Sequence, residues 1–226
     1  MADAILSCLD LAKTYATGRG KIEAVKSIDF EAQVGEFVSI VGRSGSGKSS
    51  FLAMIGGLSR PSRGSVRIED TEIWTLSDDR LADFRNRRIG FIYQFSSLLP
   101  TLRIIDNVLL PARLDPRRDI TAAYRRAREW LDQLALSDYL DAYPSEISTG
   151  EQRRAVIARA VINEPALLLA DEPTSDLDEV TESEIMNWFL QLNRKSPLTL
   201  IMVAHNLRLA EQTDRVIHIS DGRLAA

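Results

Sequence analysis

The spacing of hydrophobic positions changes along the chain, and each spacing predicts a different kind of secondary structure. Apolar and polar residues alternate near 5–13 and 22–34, on either side of a glycine-containing loop at 16–20. Alternation of this kind predicts half-buried strands, so we expect an antiparallel β layer at the start of the chain. A short strand is expected at 65–69. Helical patterns are predicted further on, over 78–87, 104–113, 120–135 and 148–163.

Strand-like and helix-like segments alternate in the last third of the chain. Short apolar runs at 166–170, 198–204 and 215–220 predict strands, and the segments between them predict helices at 179–194 and 206–211. Such alternation predicts a parallel sheet with helices on both faces, so the chain is expected to be an α/β protein. Its 226 residues are enough for one large domain with a sizeable core.

A glycine-rich segment lies between an apolar run at 37–41 and a helix-like segment at 49–55. It matches G-x-x-x-x-G-K-[ST], the phosphate-binding P-loop, and comprises Gly42, Arg43, Ser44, Gly45, Ser46, Gly47, Lys48 and Ser49, with Ser50 following in the helix. Glycines let backbone N–H groups turn toward phosphate oxygens, and the next helix N-terminus adds a partial positive charge. Lys48 is expected to reach the β- and γ-phosphates and Ser49 to ligate Mg²⁺. A chance turn is the alternative, but a lysine between glycine and serine serves no turn.

Two acidic residues follow the apolar run at 166–170. Asp171 and Glu172 stand at the carboxyl end of a predicted strand, where open α/β sheets bind ligands. Asp171 is expected to hold Mg²⁺, directly or through water, and Glu172 to lie beside an attacking water. Two surface acids after a strand are the alternative, which the P-loop upstream makes weak. These two motifs, together with Gln94, the segment 148–152 and His205 elsewhere in the chain, predict a site that binds a nucleoside triphosphate and cleaves its γ-phosphate.

Further motifs occur in a fixed order along the chain. Gln94, the segment 148–152 and His205 follow the P-loop in the order seen in one family. The chain resembles the ATP-binding subunits of ATP-binding cassette (ABC) transporters over essentially its whole length. A narrower resemblance, to the lipoprotein-release and macrolide-export group, rests on the stretches 85–95, 98–100 and 106–111.

The resemblance implies a single ABC nucleotide-binding domain over 1–226. Its fold class would be α/β, with a P-loop NTPase (RecA-like) core, a parallel sheet and an N-terminal antiparallel β layer. The ATP-binding core would comprise 1–94 and 160–226. An inserted α-helical subdomain, at 95–159, would contain the signature motif.

The resemblance also implies roles for single residues. Tyr15 is similar to the aromatic residue that stacks on adenine, with an ordinary half-buried strand position as the alternative. Gln94 resembles the Q-loop glutamine, which touches Mg²⁺ and the water, and its alternative is a turn amide. His205 follows a predicted strand and resembles the switch histidine that contacts the γ-phosphate. The implied catalytic residues are Glu172, His205, Gln94 and Lys48, and the implied Mg²⁺ ligands are Ser49, Gln94 and Asp171.

The segment Ser148, Thr149, Gly150, Glu151 is similar to the family's signature motif. Ser148 is also a suitable N-cap, and Glu151 would complete a capping box; both interpretations can hold, because a capped helix N-terminus still presents amides to an anion. In the family this helix meets ATP held by the other subunit, which implies a head-to-tail homodimer. Thr149 stands where the family usually has glycine. Because β-branched residues are disfavoured at positive φ, this departure places the full ATPase rate in question.

Asp178 has two interpretations of equal weight. By resemblance it ends the D-loop, 175–178, which crosses the dimer interface near the nucleotide. By its position it caps the helix predicted to begin there. No functional role is predicted for Cys8 or His218. Cys8 is interpreted as a packed strand residue, and His218 as an exposed strand residue.

Composition limits the possible partners. The formal net charge of −4 disfavours nonspecific nucleic-acid binding. No secretion signal and no apolar stretch near the ~20 residues needed to span a bilayer are present. We therefore expect a separate integral membrane permease, contacted from the cytoplasmic face of the inner membrane. The alternative function is a nucleotide-dependent switch or scaffold with slow turnover.

Two surfaces are candidates for contact with that permease or its membrane. Six arginines at 113–128 predict either a solvated helix face or a basic surface near lipid head groups. The segment 96–107, with Leu98, Leu99 and Leu102, is the better candidate for a groove that receives a partner helix.

Overall fold

The computed structural model describes residues 4–18, 20–95, 97–175 and 177–225, and its first strands form an antiparallel sheet. The strands are β1 (Ala4–Thr17), β2 (Gly20–Gln33), β4 (Arg63–Ile68) and β5 (Thr71–Glu72), in the order β2-β1-β4-β5. The expected N-terminal antiparallel layer is confirmed. Its first hairpin is longer than predicted, because residues 16, 17 and 20 continue the ladder.

The second sheet holds the carboxyl-terminal strands together with the strand before the P-loop. Its members are β3 (Phe37–Val41), β6 (Ile89–Ile92), β7 (Leu167–Asp171), β8 (Thr199–Val203), β9 (Arg215–Ser220) and β10 (Arg223–Leu224), in the order β10-β9-β3-β8-β7-β6. All pairs are parallel except β9 with β10. Because β3, β7 and β8 are parallel neighbours, the loops that follow them meet at one edge of the sheet.

Seven α-helices lie in the described part of the chain. They are α1 (Lys48–Ile55), α2 (Asp78–Arg88), α3 (Ile104–Arg113), α4 (Ile120–Gln133), α5 (Thr149–Val161), α6 (Glu179–Lys195) and α7 (Leu207–Ala210). The helices predicted from residue 78 onward agree with the observed ends to within two residues. α3, α4 and α5 pack against one another. The proposed subdomain at 95–159 would contain α3, α4 and most of α5.

The parallel sheet has a core on each face. Leu167 and Leu169 of β7 pack with β1, β2 and α1, whereas Leu168 and Ala170 pack with α3 to α6. A continuous apolar run therefore fills both cores at once, as its sequence predicted. The result is a rigid platform whose carboxyl-terminal edge positions the loops of the site.

Four of the six arginines at 113–128 have structural partners. Arg113 pairs with Asp106, Arg117 and Arg118 approach Asp115, and Arg126 pairs with Glu164. Arg125 and Arg128 are exposed on α4. Four of the six, Arg113, Arg117, Arg125 and Arg128, are exposed, so the group is a solvated surface in which most of the arginines are paired with carboxylates, and it is not a free basic patch.

The remaining sequence expectations concern Cys8, His218 and membrane spans. Cys8 is fully buried, and burial raises the pKa of its thiol, as expected of a packing residue. His218 is exposed on β9. Among the helices of the described residues, none has the length and apolar character needed to span a bilayer.

Candidate nucleotide-binding site

The P-loop connects β3 to α1 and is closed from above by the first hairpin. Gly47 is the N-cap of α1 with φ of 105°, a conformation that favours glycine. A Cβ atom at Gly47 would lie 2.2 Å from the carbonyl oxygen of Ala24 in β2. The last glycine of the loop is therefore required both by its backbone conformation and by this close packing.

Lys48 lies across the loop that it follows. Its side chain is only 5% exposed, and its Nζ donates hydrogen bonds to the carbonyl oxygens of Gly42 at 2.8 Å and Arg43 at 3.0 Å. An ammonium group has three N–H donors. Two of them bond to the described part of the chain, so the third can bond to a phosphate oxygen. The buried cation is thus held in place before any ligand arrives.

Ser49 of α1 and Asp171 of β7, the two residues predicted to ligate Mg²⁺ by a hydroxyl and a carboxylate, lie in contact. The Ser49 hydroxyl donates to Asp171 Oδ1 at 3.2 Å. Burial raises the pKa of Asp171, and the Ser49 hydrogen bond partly opposes that change. A partly buried carboxylate that is costly to charge gains from a bound cation. This donor set fits Mg²⁺, which takes one or two carboxylates and otherwise phosphate and water oxygens.

Glu172 follows β7 in a left-handed conformation, with φ of 49°. Its backbone N–H donates to Val203 O at 3.1 Å, and its carbonyl accepts from both the N–H and the hydroxyl of Ser175. His205 Nε2 lies 2.5 Å from Glu172 Oε1. The carboxylate of Glu172 is thus fixed by its own backbone and by contact with the imidazole.

Lys48, Ser49, Glu172 and His205 line a common cleft of about 440 Å³. The lining residues are Ala24, Ser44, Gly45, Ser46, Gly47, Lys48, Ser49, Ser50, Gln94, Glu172 and His205. Four predicted catalytic residues therefore share one cleft, next to the Ser49–Asp171 pair. The cleft is polar and anion-compatible, as a triphosphate requires.

Tyr15 lies beside this cleft and does not line it. Its hydroxyl donates to Ser50 Oγ at 3.3 Å, and its ring is 38% exposed. Lys13 Nζ lies 5.0 Å from the centre of the ring, within cation–π distance. An exposed aromatic face beside the P-loop helix is suited to stacking with a base. The adenine-stacking role of Tyr15 stays a prediction.

The segment 148–151 lies away from the cleft, at the N-terminus of α5. Glu151 accepts hydrogen bonds from the Ser148 N–H and hydroxyl, both at 2.7 Å, and Ser148 Oγ accepts the Glu151 N–H at 3.3 Å. The capping box is therefore present. The Ser148 hydrogen bonds lower the pKa of Glu151, to which Tyr139 also donates. None of the four predicted signature residues lines the cleft of its own chain.

Thr149 does not have the conformation that the motif comparison led us to expect. It is the first residue of α5, and it is not among the residues with positive φ. The backbone here is an ordinary helical one, so it does not require glycine. Only the exposed threonine side chain distinguishes this position from the usual motif.

Asp178 is the N-cap of α6. Its carboxylate accepts from the N–H groups of Val180 and Thr181, at 3.1 and 3.0 Å, and these bonds lower its pKa. The capping interpretation is confirmed, and the D-loop role stays a prediction. Asp176, within the predicted D-loop, lies outside the described residues.

Sequence motifs did not identify Ala24 or Tyr139. Ala24 O closes over the P-loop, and Tyr139 donates to the capping carboxylate Glu151. Each contact joins segments that are distant in sequence and that share no periodic pattern. No local signal could have found them, because both depend on tertiary packing.

A family model described as "ABC transporter" matches residues 25–175. The chain belongs to the ABC transporter family. It is an ATP-binding subunit of the ABC ATPase type, which confirms the family and the fold class predicted from the motifs. That prediction rested on the order of five motifs along the chain: the P-loop, Gln94, the segment 148–152, Asp171 with Glu172, and His205.

Relatives of this ABC subunit match it over nearly its full length. The lipoprotein-releasing system ATP-binding protein LolD of Cytophaga hutchinsonii is 43% identical over 96% of this chain and 97% of its own. An uncharacterised ABC transporter ATP-binding protein of Thermotoga maritima is 41% identical over 97% of this chain and 93% of its own. A dimeric structure of the ATP-binding cassette MJ0796 bound to ADP and Pi has a TM-score of 0.91 and 36% identity, covering 98% of this chain and 97% of that one.

Proposed function

We propose that this ATPase is the energy-coupling subunit of a transporter of the lipoprotein-release type. It would hydrolyse Mg²⁺-ATP as a nucleotide-sandwich homodimer on a separate integral membrane permease, at the cytoplasmic face of the membrane. The observation that carries this proposal is the division of the predicted site. The catalytic residues predicted from the motifs share one cleft with most of the P-loop, while the predicted signature residues of the same chain lie elsewhere.

The residues of the cleft would act mainly through position and charge. Mg²⁺-ATP supplies the γ-phosphoryl group that is transferred to water. Lys48 and the P-loop amides would offset negative charge on the phosphate oxygens, and Ser49, Asp171 and Gln94 would hold the cation. Glu172 would orient and deprotonate the water, for which a carboxylate must come within hydrogen-bonding distance. His205 would hold Glu172 and contact the γ-phosphate.

The signature residues support a dimer because they cannot complete the site of their own chain. The N-terminus of α5 presents amides that could receive an anion. We propose that it meets the γ-phosphate of ATP bound in the cleft of a second copy, with Asp178 near the same interface. MJ0796 was solved as a dimer with ADP and Pi, and its likeness over the full chain favours this arrangement.

A groove beside Gln94 is proposed as the contact with the permease. It measures about 780 Å³, and its rim includes Leu58, Tyr93 and Leu114, which are 43%, 42% and 70% exposed. Leu99, on the predicted segment, is also 43% exposed, and Ser96 lies outside the described residues. Exposed apolar side chains around a groove suit an amphipathic helix of a partner.

The class of permease is proposed from the relatives. Several of them are named LolD lipoprotein-releasing ATP-binding proteins and match this chain almost end to end at 40 to 43% identity. In this arrangement the permease would select the cargo, and the cleft described above would supply only the energy. A switch with slow turnover is the competing function, and the ordinary backbone at Thr149 removes one reason for it.

The proposal is tested by Mg²⁺-dependent ATP hydrolysis measured against protein concentration, for the natural chain and Glu172→Gln. Specific activity should rise with concentration, because each complete site needs two chains. The variant should bind ATP normally and lose most turnover. An unimpaired rate in Glu172→Gln would remove Glu172 from the mechanism, and a specific activity independent of concentration would argue against a dimer formed on ATP binding.

A further inference from the structure

The carboxylate of Glu182 joins two loops that leave different strands of the parallel sheet. Its Oε1 accepts a hydrogen bond from the Thr174 hydroxyl at 3.0 Å, and its Oε2 accepts one from Asn206 Nδ2 at 2.9 Å. Thr174 belongs to the loop after β7, and Asn206 to the loop after β8. One half-buried side chain on α6 thus holds both loops.

The two loops are those that present Glu172 and His205. Thr174 lies two residues after Glu172, and Asn206 directly follows His205. Between the two side chains there is a single close contact, 2.5 Å from His205 Nε2 to Glu172 Oε1. His205 is itself largely exposed, with a side chain 54% accessible. Its position therefore depends on the loop to which it is attached.

Glu182 is well placed to fix these loops because its own helix is anchored. Asp178 caps the first turn of α6, and the buried face of the helix, with Ile185, Met186 and Phe189, packs into the core. Asn206 is held at both ends of its amide, since its Oδ1 also accepts the Arg208 N–H at 3.1 Å as the N-cap of α7. The bridge is a chain of hydrogen bonds between rigid elements.

We propose that Glu182 is a positioning residue for the Glu172–His205 pair. It does not line the cleft, and it acts by holding the loops after β7 and β8 at the separation that brings imidazole and carboxylate together. This inference rests on the catalytic roles proposed above for Glu172 and His205. It adds a residue that no motif of the sequence indicated.

A matched control is available on the same helix turn. Glu179 is exposed and, like Glu182, is an acidic residue in the first turn of α6. Both substitutions Glu182→Ala and Glu179→Ala therefore remove one negative charge near the helix N-terminus. Only Glu182→Ala removes the bridge. Any general effect of charge or helix stability should appear in both variants.

The contact itself can be observed without measuring hydrolysis. The chain contains two histidines, so a His218→Gln background leaves His205 as the single imidazole signal in a ¹⁵N spectrum. Glu182→Ala should move that signal toward the position of a freely solvated imidazole, whereas Glu179→Ala should leave it unchanged. An unchanged His205 signal in Glu182→Ala would overturn the proposal, whatever the state of the ATPase.

Steady-state kinetics of the full chain provide the second readout. We expect Glu182→Ala to lower kcat about 10-fold or more while the Kd for ATP stays within about three-fold, as misplacement of reacting groups predicts. Glu182→Gln keeps one acceptor oxygen and should recover part of the rate, and Glu179→Ala should retain the natural kcat. A normal kcat in Glu182→Ala, when Glu172→Gln is inactive, would overturn this inference alone; an active Glu172→Gln would instead overturn the proposed function.

Discussion

The N-termini of α1 and α5 differ in the side chains next to their first backbone N–H groups. α1 begins after Gly47 without a capping side chain, and the buried ammonium of Lys48 lies in its first turn. α5 begins after Ser148, which exchanges hydrogen bonds with the Glu151 carboxylate. The first N-terminus thus carries a cation and no capping side chain, while the second carries a capping box with an acidic side chain.

This difference predicts that the two helix ends affect different measurements, namely the affinity of one chain for ATP and the rate of turnover by two chains. A helix N-terminus with free amides and a nearby cation binds phosphate on its own. A phosphate that approaches α5 meets the carboxylate of Glu151 and has to be held by other groups as well. We therefore expect changes at α1 to act on the binding of ATP by the single chain. Changes at α5 should act on the step that needs a second chain.

The largest effect should come from closing the open N-terminus with Gly47→Ala. The added Cβ would lie 2.2 Å from Ala24 O, at a φ of 105°. The loop must shift and displace N–H groups from the phosphates, so we expect the affinity for ATP to fall by about 100-fold, as the loss of one or two hydrogen bonds to a charged group predicts. Strain of this kind also costs roughly 1 to 3 kcal/mol of stability. Calorimetric ATP binding and denaturant unfolding measure the two effects.

The control for Gly47→Ala is another glycine with open surroundings. A Cβ at Gly18 would meet nothing within 4 Å. Gly18→Ala should therefore bind ATP like the natural chain. Equal losses in both variants would mean that the P-loop conformation does not account for the affinity.

The next effect should come from opening α5 with Glu151→Ala. The substitution removes the acceptor of the Ser148 N–H and hydroxyl and of Tyr139. We expect kcat to fall roughly 10-fold with ATP affinity unchanged, because only the geometry of the second contact is lost. The Ser148 cap of the residue 151 N–H remains, and loss of the reciprocal hydrogen bonds to the carboxylate should cost roughly 1 kcal/mol of stability or less. Rates measured across protein concentrations should show the defect at every concentration.

Glu146→Ala is the matched control for this variant. Glu146 accepts the Tyr143 N–H at 2.6 Å in the turn just before α5. Its removal costs a similar local hydrogen bond outside the signature segment. A 10-fold loss of kcat in this variant too would show that local stability, and not the signature geometry, sets the rate.

A smaller effect should appear as a pH dependence of the α5 cap. Hydrogen bonds from Ser148 lower the pKa of Glu151, so the folded chain binds this proton less tightly than the unfolded chain does. Its stabilisation is fully present above the unfolded pKa of about 4.3 and is lost as pH falls through the lower folded pKa. The difference in unfolding free energy between the natural chain and Glu151→Ala should thus shrink in acid. A difference that stays constant from neutral pH into this range would contradict the assignment.

Most of the fold followed from periodicity, and the exceptions have a common cause. Runs such as 166–170 and 198–204 are long enough to show a pattern, and both are strands. β5 and β10 have two residues each, too few for any periodicity, and they depend on the neighbouring strand for their pairing.

The residues of the site also fall into those that a local pattern predicts and those that it does not. Lys48, Asp171 and Glu172 lie within local motifs, and the structure brings them to one edge of the sheet. Glu182 and Ala24 act through contacts with residues remote in sequence, at Asn206 and Gly47, which no local pattern encodes. Tertiary packing alone determines such pairs.

The smallest expected effect is that of Thr149→Gly. Thr149 is exposed, and its helical backbone does not require glycine, so the natural residue imposes no strain that glycine would relieve. We expect kcat to be unchanged or raised by no more than about three-fold, since the substitution removes only an exposed side chain, and stability to fall by roughly 0.5 to 1 kcal/mol, as for glycine in a helix. Steady-state rates and denaturant unfolding measure both.

Thr149→Ser, which keeps a hydroxyl and removes the β-branch, separates the effect of the methyl group from that of the hydroxyl. A collapse of kcat in Thr149→Gly would mean that the threonine side chain takes part in the contact between the two chains.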